Sequence, residues 1–212
     1  MNFKRASLAL GIALSVSSVQ AGVTYSVEAA NQLTSTQVGV TTVDFNDGTT
    51  GSYTSVVGDF TIYDTPSGTG QSAPPFSITD KYISVPNPVS NGSATFTLDG
   101  SYNYFGFFWG SVDTYNTIEF FDGMTSVASF GGGDITPELI ADGNQGSWNS
   151  NRYVNFFFDG GHTFDSFVMT STSFAFETDN HSYGNVAVPE SGTLGLLSLG
   201  LLGLGLARRR KA

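Results

Sequence analysis

The residues of this chain predict an all-β fold: two sheets packed face to face as a jelly-roll-like sandwich. Three observations carry that prediction. Apolar and polar residues alternate over short runs, the period of a strand with one buried face. Turn pairs rich in Gly, Asn and Asp separate those runs at fairly even spacing. The composition is 18 Phe, 9 Tyr, 2 Trp and 26 Gly, with only 12% charged residues and no Cys. That mix excludes a coiled coil, a cysteine-zinc site and a disulfide scaffold, and it supplies too many aromatics for a disordered chain. At 212 residues the length suits one core domain that needs no covalent staple.

The elements follow in chain order. Asn46-Asp47-Gly48 marks a first turn, and Asp59–Tyr63 a strand. Pro66-Ser67-Gly68 opens a Gly-, Ser- and Pro-rich stretch over 65–75, expected as an exposed loop. Tyr82–Val85 is the next strand, closed by Asn91-Gly92. Ala94, Phe96 and Leu98 then alternate with Ser93, Thr95 and Thr97, up to Asp99-Gly100. Tyr102–Trp109 and Arg152–Phe158 are aromatic on both faces, which predicts central strands. Ile118 and Phe120 oppose Thr117 and Glu119, and Asp122-Gly123 between Phe121 and Met124 predicts a hairpin turn. One helical turn is expected over Thr136–Asp142, capped by Thr136, with Pro137 first and Gly143 ending it. Asp159-Gly160-Gly161 leads into the strand Phe164–Thr170.

Charge is unevenly placed. Lys4 and Arg5 lie at one end, and Arg208, Arg209, Arg210 and Lys211 at the other. Between Gly22 and Val188 only Lys81 and Arg152 face 17 acids. Such a middle repels nucleic acid and anionic lipid, and it attracts divalent cations. Residues 1–21 combine a basic start, an apolar run and Val19-Gln20-Ala21, the form of a signal peptide cut after Ala21. The expected partners of that segment are the Sec translocon and signal peptidase. Residues 22–187 form the expected extracytoplasmic sandwich, and 188–212 a separate tail. That tail has a polar lead, Val188-Pro189-Glu190-Ser191, an apolar Leu- and Gly-rich run to Ala207, and the basic cluster 208–211. As a helix over about 192–207 the run reaches roughly 21–25 Å, short of a hydrocarbon core of about 30 Å. The basic cluster keeps the terminus cytoplasmic by the positive-inside rule.

The run VPESGTLGLLSLGLLGLGLARRRKA resembles a PEP-CTERM sorting signal. Pro189 and Glu190 match its first two motif positions, Ser191 stands where the motif has a second Pro, and Arg208, Arg209 and Arg210 match its basic end. The resemblance implies recognition by exosortase, a membrane-embedded cysteine transpeptidase-like enzyme of Gram-negative, exopolysaccharide-making bacteria. It also implies a transient single-pass anchor, then release to the cell surface or matrix. The middle is similar to exosortase-dependent surface proteins at Tyr104–Phe120, Gly143–Gly146, Asn151–Phe156 and Phe174–Glu177. That likeness implies a location, with exopolysaccharide or biofilm as the expected surroundings, and assigns no reaction.

Three kinds of chemistry are open to the middle. Asp44, Asn46 and Asp47 near its start, with Glu177, Asp179 and Asn180 near its end, offer hard oxygen ligands suited to a structural Ca2+. First and last strands often neighbour each other in such sandwiches, which would bring the clusters together; ordinary Asx turns are the competing reading. Trp148, Trp109 and Tyr115 are rings able to stack on sugar faces, as in a carbohydrate-binding, lectin-like module, with Trp109 also suited to the core. Catalysis has the thinnest support: His162 and His181 sit beside no nucleophile motif. The expectation is a non-enzymatic protein without a cofactor. Arg152 is expected to pair with a nearby Asp.

Overall fold

The computed structural model describes residues 22–66, 70–135 and 137–188. The signal-peptide reading with Ala21, the sorting residues from Pro189 onward, the capping role of Thr136 and the turn residues Ser67-Gly68 lie outside them.

Twelve strands and one short 3-10 turn make up the described chain. They are β1 (Val23–Val27), β2 (Thr41–Val43), β3 (Ser55–Gly58), β4 (Thr61–Tyr63), β5 (Tyr82–Val85) and β6 (Gly92–Tyr102). After them come β7 (Tyr104–Trp109), β8 (Asn116–Asp122), β9 (Thr125–Gly131), β10 (Arg152–Phe158), β11 (Phe164–Ser171) and β12 (Phe176–Gly184). They build two antiparallel sheets. The larger has the order β1-β10-β7-β12-β5-β4, with β2 also paired to β12; the smaller has the order β3-β6-β11-β8-β9. The all-β, two-sheet expectation is met.

Alternation decides which side chains enter the space between the sheets. On β7, Phe105, Phe107 and Trp109 point inward with Val154, Phe156 and Phe158 of β10. From the smaller sheet Phe96, Phe120 and Phe167 meet them. Phe96 and Phe167 stack at 4.7 Å, and Phe105 lies 4.4 Å from Phe167. The larger sheet is buried on its other face too, where Phe108, Tyr153, Tyr82 and Ile78 cluster beneath Leu33, Tyr63 and Trp148. β7 and β10 are therefore interior strands covered on both sides, which is why their sequences are aromatic throughout.

Several local expectations are corrected. Asp99-Gly100 makes no turn: it lies within β6, where the pairing with β11 slips between Phe164 and Ser166, and the chain reverses instead around Asn103. The β8–β9 hairpin forms, but its loop is Gly123-Met124, because Asp122 still pairs with Thr125. Only Gly123, at φ +57, needs positive φ. No helix occupies the described part of Thr136–Asp142. A 3-10 turn lies before it at Gly132–Asp134, followed by a single bond from the Leu139 N–H to the Ile135 carbonyl. The described part of the 65–75 stretch is not simply an exposed loop: Ser72 and Pro75 are buried, and the Ala73 N–H donates to Glu177 of the larger sheet.

Candidate functional site

Polar chemistry concentrates on β12. This strand starts beside β5, with Thr178 opposite Ile83, and ends beside β2, with His181 opposite Val43. The change of partner falls at Asp179-Asn180, where the pairing with β7 also shifts and Asn180 takes φ +51. Residues just before β5 and just after β2 therefore meet along the same edge of β12, and the Lys81 N–H donates to Asn46 Oδ1 at 3.2 Å.

His181 points into the sandwich among Phe45, Phe96, Phe105, Phe107 and Phe167. Its Nδ1 lies 2.9 Å from the Tyr53 hydroxyl and its Nε2 2.8 Å from the Thr178 hydroxyl. Burial disfavours the charged ring and lowers its pKa to about 3. A neutral imidazole has one donor and one acceptor, and two rotatable hydroxyls satisfy either tautomer.

Glu177 faces the other way, towards the loop over 70–77. One carboxylate oxygen accepts from the Ala73 N–H at 3.0 Å, the other from the Ser111 hydroxyl at 3.1 Å. Burial pushes its pKa up to about 7, against the pull of those hydrogen bonds. It forms the floor of a recess of about 300 Å³ shared with Gln71, Ala73, Gln145 and Phe174. The hydroxyl of Tyr115 donates to the Phe174 carbonyl at 3.0 Å on the same side. Asp113 nearby has its pKa raised by burial and by the charge of Asp142.

Asp179 is 3% exposed. Its Oδ2 accepts from Asn180 Nδ2 at 3.2 Å, while its Oδ1 has no hydrogen-bond partner among the described residues. Burial raises its pKa to about 8, and the charges of Asp44 and Asp80 push the same way.

The residues singled out from the sequence are thus distributed unevenly. Asp44 reaches the neighbourhood of Asp179, as β2–β12 pairing requires. Asp47 is engaged in its own turn, where its Oδ1 accepts from the Thr49 N–H and hydroxyl at 2.8 and 2.7 Å. Asn46 holds Lys81, and Glu177 is held by Ala73 and Ser111. Among the described residues no group of three or more His, Asp or Glu is already disposed around one metal position. Trp109 is corrected as a sugar platform: it is fully buried, stacked on Phe176 at 4.7 Å. Trp148 is half-buried, edge-on to Phe76 at 5.0 Å and to Phe108 at 6.3 Å. Tyr115 is partly exposed, with its hydroxyl engaged as described. Arg152 pairs with carbonyls, not with an Asp: its Nε donates to Trp148 O at 2.7 Å and its Nη1 to Glu28 O at 2.9 Å. Asp80, Ser72 and Ser111 were missed, since nothing in their local sequence separates them from ordinary loop residues. Among the described residues no helix is long and apolar enough to cross a membrane.

No family model, no curated protein and no solved structure matches the chain.

Proposed function

We propose that the chain is an exported, non-enzymatic surface or extracellular-matrix component whose C-terminal segment is a sorting signal cut by exosortase. The single observation behind this reading is the order of three parts in residues 188–212: the lead with Pro189, Glu190 and Ser191, a short Leu- and Gly-rich run, and Arg208, Arg209 and Arg210. With a signal peptide removed after Ala21, one topology follows, in which the sandwich lies outside and the basic end inside. The sandwich is of the jelly-roll kind. That reading is supported by the orders β5-β12-β7-β10 and β6-β11-β8-β9, eight consecutive strands arranged as two interlocked Greek keys. Its aromatic interior suits a rigid display unit in an exopolysaccharide-rich matrix. The test is intact-mass analysis of the exported chain in a strain carrying exosortase. The expected product starts at Gly22 and ends near the Pro189-Glu190 lead; a product retaining Arg208–Arg210 overturns the reading.

A second reading has its own support. The recess floored by Glu177 and lined by Gln71, Gln145 and Phe174 offers amide and carboxylate groups to sugar hydroxyls, beside the ring of Tyr115. A glycan array probed with wild-type protein and with Gln145→Ala distinguishes the two. Binding that weakens in the variant favours a carbohydrate-binding module, and absence of binding favours the display role.

A further inference from the structure

We propose that Asp179, together with Asp44 and Asp80, binds a hard divalent cation, Ca2+ by preference, at the seam where β12 changes partner from β5 to β2. The proposal stands independently of how the chain is sorted.

The seam is a product of topology. β5 arrives at β12 with Ile83 opposite Thr178, so Asp80 and Lys81 lie just before the pairing begins. β2 leaves with Val43 opposite His181, so Asp44 follows where that pairing ends. Register thus places three acidic residues from three separated parts of the chain near one break in the ladder. Asp44 and Asp80 are exposed, whereas Asp179 is buried.

Asp179 Oδ1 points to a ligand. A buried carboxylate oxygen is normally paired, and an unpaired one loses its hydration with nothing in return. Here the carboxylate accepts only from the adjacent Asn180, through its side-chain amide and its backbone N–H, and Oδ1 has no partner among the described residues. No cation of the described chain relieves it. Lys81, the nearest basic residue in register, is paired with Asp64, and Arg152 is bound to the carbonyls of Trp148 and Glu28. The neighbouring charges that do reach Asp179, those of Asp44 and Asp80, are of the same sign. A divalent cation reverses the balance, turning three mutually repelling groups into ligands.

The three carboxylates do not yet converge on one point. Asp44 and Asp80 are exposed, and to turn towards Asp179 the Asp44 carboxylate gives up one solvent-exposed Asx-turn bond, accepted by its Oδ1 from the Asn46 N–H at 3.1 Å. Asp80 and Asn46 also line an open cleft of about 440 Å³ with Asp64, Thr65, Thr79 and Lys81, so Asp80 is reachable by a hydrated ion. Oxygen donors on three separate segments, completed by water, suit the irregular six-to-eight-fold shell of Ca2+ better than the strict octahedron of Mg2+.

The experiment uses the full-length chain in mild detergent at pH 7.5, stripped with EDTA and titrated with CaCl2 or MgCl2. Melting temperature and heat of binding are read together. The expected result is a rise of several degrees with Ca2+, smaller with Mg2+, and saturable one-site binding. Asp179→Asn, which keeps the side-chain shape, abolishes the rise. Asp44→Asn and Asp80→Asn, both at exposed positions, each weaken Ca2+ binding at least tenfold. If Asp179→Asn does not fold, the Asp44→Asn/Asp80→Asn double variant decides. No Ca2+ response up to millimolar concentration means that Asp179 is instead held as the neutral acid, and overturns the proposal. So does a response undiminished in the variants.

Discussion

His181 shows how one residue type can be misjudged from sequence. In a stretch reading Glu-Thr-Asp-Asn-His-Ser it suggests a solvated loop. Its ring instead occupies the aromatic centre of the sandwich, satisfied by Tyr53 and Thr178. The pH consequence has a definite sign. Free histidine takes its proton near pH 6.5, while the buried ring resists until about pH 3. Between those values the unfolded chain binds the extra proton, so this residue's contribution is complete above pH 6.5. It is lost as pH falls towards 3, by at most about 1.4 kcal/mol per unit. An NMR titration should find the Cε1 proton of His181 at its neutral position down to pH 4; a midpoint near 6.5 would contradict the burial. Trp109 makes a second residue-scale case. Its indole is enclosed between Phe107 and Phe176, so Trp109→Ala should cost about 3–5 kcal/mol in urea unfolding. Loss of a mere surface ring would cost far less.

At the scale of elements, hydrophobic alternation and turn chemistry explain what could be read in advance. Tyr82–Val85 and Arg152–Phe158 have the bounds expected of them, because each is a dense β-branched or aromatic run with turn residues at its edges. β12 was not legible as a strand. Its Glu177, Thr178, Asp179, His181 and Ser182 are buried, and the groups that make burial tolerable for Glu177 and His181 come from Tyr53, Ala73 and Ser111, far away in sequence, while Thr178 pairs with His181 itself. Local pattern reports side-chain polarity, and only tertiary pairing decides whether a polar side chain can go inside. The same limit applies to the candidate site: Asp44 and Asp179 could be suspected from end-to-end strand pairing, Asp80 could not. At the β8–β9 hairpin the turn chemistry was legible to within a residue, whereas Asp99-Gly100 lies inside a strand. Gly123 alone carries positive φ in the β8–β9 loop, and Met124 beside it is fully exposed. Gly123→Ala should therefore cost about 1 kcal/mol, whereas Met124→Lys should be neutral, both by urea midpoint.

For the whole molecule, stability depends on joining the two halves of the larger sheet. β10-β7 on one side and β5-β4 on the other have β12 between them. A chain ending at Thr172 would leave the hydrogen-bonding edges of β7 and β5 bare and the core open at His181. It should lack the near-UV signal of packed aromatics and be degraded at protease levels that spare the full chain. A native-like spectrum would show that the β12 contacts are dispensable.

Of the described strands, the one at the centre of that sheet is also the last to be synthesised. A chain delivered N-terminus first can complete the larger sheet only once the nine residues of Phe176–Gly184 are available to pair with β7, β5 and β2. Anything that grips the polypeptide just downstream of Gly184 therefore governs when the sandwich can close.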